Sequence, residues 1–170
     1  LAPAYRAVRA IDDVMVWSRD PAAAARLAAT LAADGHPARA VADLASAVGD
    51  ADVVSCATLA TEPLIRGEWL APGSHLDLIG GFTPAMREAD DACFAGAGVW
   101  IDTAEALAKA GDLLHPIASG ALGREDVRGT LADLCAAPPP ARDPAARTVF
   151  KSVGTALEDL AAAILVYESD

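Results

Sequence analysis

The stretch that decides the fold is Pro72–Asp91, P-G-S-H-L-D-L-I-G-G-F-T-P-A-M-R-E-A-D-D. A Pro72-Gly73 turn leads into an apolar run, His75 to Ile79, that reads as a buried strand. Gly80-Gly81 then opens a loop, and Pro84 bends it. A glycine pair at the carboxyl end of a buried strand lets a ligand approach the backbone, because glycine has no Cβ to collide with it. Ligands of parallel α/β sheets bind outside the carboxyl ends of their strands. The same residues also fit an ordinary strand-to-loop turn, so the decision rests on what surrounds them.

Working outward, further apolar runs read as strands: Val14–Trp17, Val53–Ala57 and Val99–Asp102, with a short extended piece at 38–42. Helical spacing fills the gaps between them. Residues 4–10 read as the end of a helix. Asp20 is placed to cap the next helix, with Pro21 at its first position, Ala24, Leu27, Ala28 and Leu31 on its inward face, and Gly35 after its end. Asp43 caps a brief helix, and Arg87–Ala95 reads as helical. Thr103 caps a helix expected to end at Gly111. A loop follows His115-Pro116, then a helix over about 124–135 with Val127, Leu131 and Leu134 inward. Residues 137–144 are proline-rich and read as a linker. The segment 148–167 reads as the longest helix, with Val153, Leu157, Leu160, Ile164 and Tyr167 in one stripe.

Strands alternating with helices at these lengths predict a doubly wound, mostly parallel α/β sheet of Rossmann type. The predicted domains are 1–140, a partial nucleotide-binding domain, and 141–170, a C-terminal helix that packs elsewhere. The sequence begins in helical character and contains no G-x-G-x-x-G turn, so the first strand and pyrophosphate loop of such a fold are expected to be missing from it.

Composition narrows the function. The chain has 170 residues, is 54% apolar and carries a net charge of −11. That charge disfavours nucleic acid and anionic membranes, which are recognised through Lys and Arg. The most apolar run, Leu160–Val166, is too short to span a bilayer. The three cysteines, Cys56, Cys93 and Cys135, form no C-x-x-C and leave one odd, which suits a reducing, cytoplasmic compartment. No H-x-x-x-H, D-x-D or G-x-S-x-G pattern occurs, and no metal site is expected. His75 and His115 read as structural, and Trp17, Trp69 and Trp100 as core aromatics. Glu62, Asp102 and Asp112 read as caps or solvated groups.

The tip of the 14–17 strand carries the clearest local chemistry. In dinucleotide-binding folds an acid at this point holds the ribose 2′-hydroxyl, and an Arg replaces it where the ligand carries a 2′-phosphate. Here the tip is Ser18-Arg19, a hydroxyl and a planar fork suited to phosphate, while Asp20 is better used as a cap. A solvated surface Arg is the other reading of Arg19.

Five stretches together resemble the ornithine cyclodeaminase/mu-crystallin family: V-W-S-R-D-P (16–21), A-D-V-V-S-C-A-T-L-A-T-E-P-L-I-R-G-E-W-L-A-P-G-S-H (51–75), I-G-G-F-T-P-A-M-R-E (79–88), A-G-D-L-L (110–114) and F-K-S-V-G-T-A-L-E-D-L-A-A-A (150–163). The resemblance covers essentially the whole chain. It implies an upstream substrate-binding and dimerisation domain, a homodimer when intact, and a small amino or imino acid as substrate. It implies NADP(H) as the preferred cofactor, with NAD(H) the alternative. Residue by residue, it implies that Ser18, Arg19 and Asp20 contact the adenosine 2′ side, and that Ala57, Thr58 and Leu59 lie beside the ribose and pyrophosphate. Ile79 and Gly80 are implied near the nicotinamide, as is Ser152. Gly81, Phe82, Val153 and Gly154 are implied in the substrate vicinity. One position departs from the cyclodeaminase pattern: Phe82 stands where those enzymes carry a catalytic Asp, and Phe can neither give nor take a proton. The resemblance therefore implies NAD(P)H-dependent reduction of a cyclic imino acid, of ketimine or pyrroline-2-carboxylate type, in the intact protein. The alternatives are ornithine cyclodeamination and non-catalytic NADP or ligand binding. The 170 residues alone are expected to be inactive.

Overall fold

A computed structural model describes residues 1–136, 138, 141 and 143–169 of the chain. It forms two compact units, Leu1–Asp50 and Ala51–Asp170.

The first unit contains α1 (Ala2–Val8), β1 (Val14–Val16), α2 (Pro21–Ala33), β2 (Ala38–Ala40) and α3 (Leu44–Asp50). β1 and β2 pair in parallel, Val14 opposite Ala38, and α2 is the crossover between them. The expected start of α2 holds: Asp20 is its N-cap, Ala22 N donates to Asp20 Oδ1 at 2.9 Å, and Pro21 opens the first turn. At its far end Gly35 adopts a left-handed φ of 81°, a conformation a Cβ would oppose. Of the four residues expected to face inward, Ala24 and Ala28 are buried, whereas Leu27 is exposed.

The second unit is a five-stranded parallel sheet in the order β3-β4-β7-β5-β6. Its strands are β3 (Val53–Cys56), β4 (His75–Leu78), β5 (Gly98–Ile101), β6 (Val127–Thr130) and β7 (Thr148–Lys151). With α4 (Ala106–Lys109), α5 (Gly111–Ser119), α6 (Leu131–Ala136) and α7 (Ala156–Glu168), this is the expected parallel α/β architecture. Leu76, Leu78, Val99, Ile101 and Val149 are buried in the sheet, beside Phe94 and Leu113. Each such side chain contributes about 2 kcal/mol by leaving water. The continuous apolar run of β5 thus marks a strand covered on both faces, and β4 is buried with Asp77 in it, which accepts from Ser55 Oγ at 2.8 Å.

Four expectations fail. Residues 87–95 form no α-helix, only a 3-10 turn at Asp91–Cys93. Their carboxylates and main chain are instead engaged by loops of the sheet, and Ile65 bridges Ala89 as an isolated parallel pair. Gly111 opens a helix rather than ending one: α5 runs through Leu113–Pro116 to Ser119 and stops at Gly120, at φ 81°. The region 124–135 is a 3-10 turn, strand β6 and the short α6. Val-Arg-Gly-Thr pairs with β5 there, and that tertiary pairing overrides the helical spacing. The predicted long helix 148–167 is split. Thr148–Lys151 is the central strand, Gly154 turns at φ 78°, and α7 begins only after Thr155. A Thr155–Glu158 capping box starts it: Glu158 N donates to Thr155 Oγ1 at 3.3 Å, and Thr155 N to Glu158 Oε2 at 2.9 Å.

No residue of α7 is buried, and its stripe of Leu157, Leu160, Ile164 and Tyr167 is exposed. The three tryptophans are half-buried rather than core. His75 is structural as expected, its Nδ1 2.8 Å from Thr148 Oγ1. Half of the expected linker 137–144, residues 137, 139, 140 and 142, lies outside the described residues. Among the described residues no helix is long and apolar enough to cross a membrane.

Candidate functional site

The parallel register places four strand ends in one row. Cys56, Leu78, Lys151 and Ile101 are aligned partners. The next residue on each strand is therefore Ala57, Ile79, Ser152 or Asp102. Main-chain bonds extend the ladder by one more step: Ile79 N donates to Cys56 O, Ser152 N to Leu78 O and Asp102 N to Lys151 O, at 2.8–3.1 Å. The sequence-predicted residues Ala57, Thr58, Leu59, Ile79, Gly80, Gly81, Phe82, Ser152, Val153 and Gly154 thus gather on the carboxyl edge of one sheet. Leu59 and Phe82 are exposed on it.

Two buried carboxylates hold this edge. Glu88 is fully buried. Its Oε1 accepts from Thr58 N at 2.6 Å and Thr58 Oγ1 at 2.8 Å, and its Oε2 from Gly80 N at 2.9 Å and Gly81 N at 3.3 Å. It therefore ties the loop after β3 to the loop after β4. Asp102 binds the neighbouring pair of strand ends. Its Oδ1 accepts from Thr103 N at 2.7 Å, and its Oδ2 from Ser152 Oγ at 3.0 Å, Val153 N at 2.7 Å and Gly154 N at 2.8 Å. Main-chain donors in a dry site must be paired, and a carboxylate pairs several at once.

Beneath Glu88 lies an ion pair. Asp112 and Lys151 are both fully buried, with Lys151 Nζ 3.3 Å from Asp112 Oδ2. Lys151 Nζ also donates to Leu78 O at 3.1 Å. Asp112 Oδ1 accepts from Glu88 N at 2.7 Å and Ala89 N at 3.1 Å, so this pair seats the Glu88 segment itself. Asp112 and Asp102 are thus not the solvated groups their sequence positions suggested. Glu62 is exposed. The field of this cluster reaches Cys56, whose thiol is pushed up by burial first and then by the Glu88, Asp112 and Asp77 carboxylates.

The two glycines are required by close approach. A Cβ on Gly80 would collide with the Thr58 main chain and the Glu88 carboxylate. One on Gly81 would lie 2.8 Å from Asp112 Oδ2. Their N–H groups are already taken by Glu88 and the space a Cβ would need is filled from inside the protein, so a ligand meets the half-buried main chain of Gly80 rather than an anion hole, while Gly81 is buried. Neither clamping carboxylate is placed to shuttle protons, since four donors converge on each. Phe82 has no proton to move. Among the described residues, no group of three or more His, Cys, Asp or Glu could hold a metal ion.

The remaining predicted residues belong to the first unit, at the end of β1. Asp20 N donates to Ser18 Oγ at 3.3 Å, and Asp20 is occupied as a cap. Arg19 is exposed and makes no hydrogen bond or ion pair among the described residues, so its guanidinium is open to an anion. Sequence reasoning missed Glu88, Asp102, Asp112 and Lys151 as builders of the site. The one available signal was Asp77 and Lys151, charges set in or beside strand-like apolar runs.

The model of the ornithine cyclodeaminase/mu-crystallin family matches residues 1–170. A Delta(1)-pyrroline-2-carboxylate reductase of Paracoccus denitrificans is 47% identical over 94% of this chain and 52% of its own length. The ketimine reductase mu-crystallin of Mus musculus is 39% identical over 92% of this chain and 47% of its own. Among solved structures, Thermococcus litoralis Delta(1)-pyrroline-2-carboxylate reductase in complex with NADH and L-proline superposes with a TM-score of 0.91. It is 28% identical, over 97% of this chain and 52% of that one. The chain thus spans about half the length of the relatives it matches. It belongs to the ornithine cyclodeaminase/mu-crystallin family.

Proposed function

We propose that this family member is the nicotinamide-binding part of an NAD(P)H-dependent reductase of small cyclic imino acids. The observation that carries the reading is the carboxyl edge of the five-stranded sheet. Its strand-end loops are clamped from below by Glu88 and Asp102, floored by Gly80-Gly81, and bordered by Phe82 where a proton-transferring acid would be needed for cyclodeamination. Relatives that reduce Delta(1)-pyrroline-2-carboxylate or ketimines support it, as does a structural neighbour bound to NADH.

In this reading Ala57, Thr58 and Leu59 border the cofactor ribose and pyrophosphate, and Ile79, Gly80 and Ser152 border the nicotinamide. Gly81, Phe82, Val153 and Gly154 face the substrate. When bound, the reduced nicotinamide supplies the hydride that adds to the C=N carbon. The chain's part is positional. The glycine floor admits a flat ring. The Glu88 clamp fixes the height of that floor, and the exposed Phe82 and Leu59 keep water from the apolar side of a small ring. Ser18 and Arg19 favour NADP(H) over NAD(H) by meeting a 2′-phosphate. Within the segment 141–170, whose Thr148–Lys151 belongs to the sheet, α7 packs through its exposed stripe against a substrate and dimerisation portion of the intact protein, which works as a homodimer. All three cysteines are free, which fits the cytoplasm.

The test is NADPH absorbance against time in the intact protein, with Δ1-pyrroline-2-carboxylate. Steady consumption is expected. Ammonia release from ornithine without imine reduction would move the protein to the cyclodeaminases. Tight cofactor binding without any turnover would make it a binding protein. Arg19→Ala should raise the KM for NADPH about tenfold and leave that for NADH unchanged.

A further inference from the structure

The carboxyl edge holds two hydroxyls that give their protons to buried carboxylates, and the two are not equivalent. Thr58 Oγ1 donates to Glu88 at 2.8 Å and accepts from Ala60 N at 3.2 Å, so both its directions are used inside the protein. Ser152 Oγ donates to Asp102 Oδ2 at 3.0 Å, and among the described residues no N–H or O–H donates back to it. The two oxygens of Asp102 receive Thr103 N, Ser152 Oγ, Val153 N and Gly154 N, all of them donors. The Ser152 proton is therefore committed inward. A hydroxyl whose proton is committed can offer a ligand only lone pairs.

We infer that Ser152 is an acceptor-only contact that selects an N–H group on the bound ligand, and that Asp102 is the positioning residue that imposes this polarity. Ser152 is half-buried, one residue beyond the central strand β7 and in the same row as Ile79. An N–H there gains a bond, whereas a carbonyl oxygen would set lone pairs against lone pairs. Asp102 acts through Ser152 and also holds Val153 and Gly154, so the polarity and the position of the hydroxyl are fixed by one group. The inference rests on the functional reading above. Within it, two N–H donors share the required chemistry: the carboxamide of the nicotinamide and the protonated nitrogen of the imine.

The intact protein distinguishes them. The first measurement is binding, without turnover, of NADPH and of its reduced 3-acetylpyridine analogue, in which the carboxamide NH2 is replaced by methyl. If the carboxamide is the donor, the wild type prefers the parent cofactor by roughly five- to tenfold. Ser152→Ala removes the preference and Ser152→Thr keeps it. Asp102→Asn weakens it, and adding Ser152→Ala to Asp102→Asn removes only the remainder, less than Ser152→Ala costs the wild type, because the two act as one unit. If the imine nitrogen is the donor, the cofactor preference is untouched by Ser152→Ala. The pH profile of kcat, which reports the bound complex, then moves instead, its iminium limb falling by about half to one pH unit.

Either pattern supports the inference. Ser152→Ala that shifts neither, or that weakens both cofactors equally with no pH shift, overturns it while leaving the reductase standing. A folded wild type that neither binds a nicotinamide cofactor nor reduces a cyclic imine overturns the functional reading, and this inference with it.

Discussion

Glu88 and Asp102 perform matching tasks on neighbouring pairs of strand ends, yet they are placed quite differently. Each carboxylate gathers three main-chain N–H groups and one hydroxyl. Glu88 arrives from a segment without helix or strand of its own and is fully buried. It needs a second layer, Asp112 over Lys151, to seat it. Asp102 sits directly at the end of β5, and one of its donors, Gly154, lies at the solvent-exposed rim. The buried clamp spends all its hydrogen-bonding capacity inside the protein. The rim clamp leaves the Ser152 oxygen with no protein donor among the described residues. Depth thus separates a group that builds the edge from one that presents it.

Substitution should separate the two by size of effect. Glu88→Ala orphans Thr58 N, Gly80 N and the buried Gly81 N and leaves a void where a fully buried side chain stood, so a loss of about 4 kcal/mol is expected. It would be read as a lower urea midpoint at unchanged m. A loss below 1 kcal/mol would mean that water replaces the carboxylate, and the contrast in depth would fail. Lys151→Met leaves Asp112 charged and uncompensated in the interior and should cost about 3 kcal/mol. Asp102→Ala should cost less, about 2 kcal/mol, because water can reach the rim donors it abandons. Equal losses for Glu88→Ala and Asp102→Ala would erase the distinction.

Alkaline pH gives a smaller effect on the same contrast. Burial, then nearby carboxylates, raise the thiols of Cys56 and Cys93 above their ordinary 9.0. The unfolded chain therefore loses these protons first as pH rises. The contribution is complete below pH 9.0 and falls above it, by about 1.4 kcal/mol per pH unit for each thiol. Thermal melts between pH 8 and 10.5 should show this decline. Cys56→Ala, which removes the thiol beside the Glu88 cluster, should halve the decline and leave the Cys93 part, while alanine at the exposed Cys135 should leave it unchanged.

Much of the fold was legible because it is local. V-M-V-W, V-V-S-C and G-V-W-I announce strands through their apolar residues, H-L-D-L-I is announced by the Pro72-Gly73 turn before it and the Gly80-Gly81 pair after it, and Asp20-Pro21 announces a helix start through capping chemistry. β6 and β7 were not legible. V-R-G-T carries a charge and a glycine, and T-V-F-K ends in a lysine whose partner, Asp112, is distant in sequence. Nothing near Lys151 says that its ammonium will be buried. The stripe continuing through Leu157 and Leu160 drew Thr148–Lys151 into a helical period that belongs only to α7. The positions at the edge were legible from resemblance, while the carboxylates that hold them were not. A clamp reaching from residue 88 to residues 58 and 80 has no spacing to read.

The place of β7 has a consequence for how the protein comes into being. It is the last strand in sequence and the middle one in the sheet, between β4 and β5. A chain leaving the ribosome makes β3-β4 and β5-β6 well before Thr148, so each waits as a two-stranded ribbon with an unpaired facing edge. Pairing across the sheet then arrives in one late step of high contact order. Until that step, β4 and β5 offer any passing strand the hydrogen bonds that β7 will take.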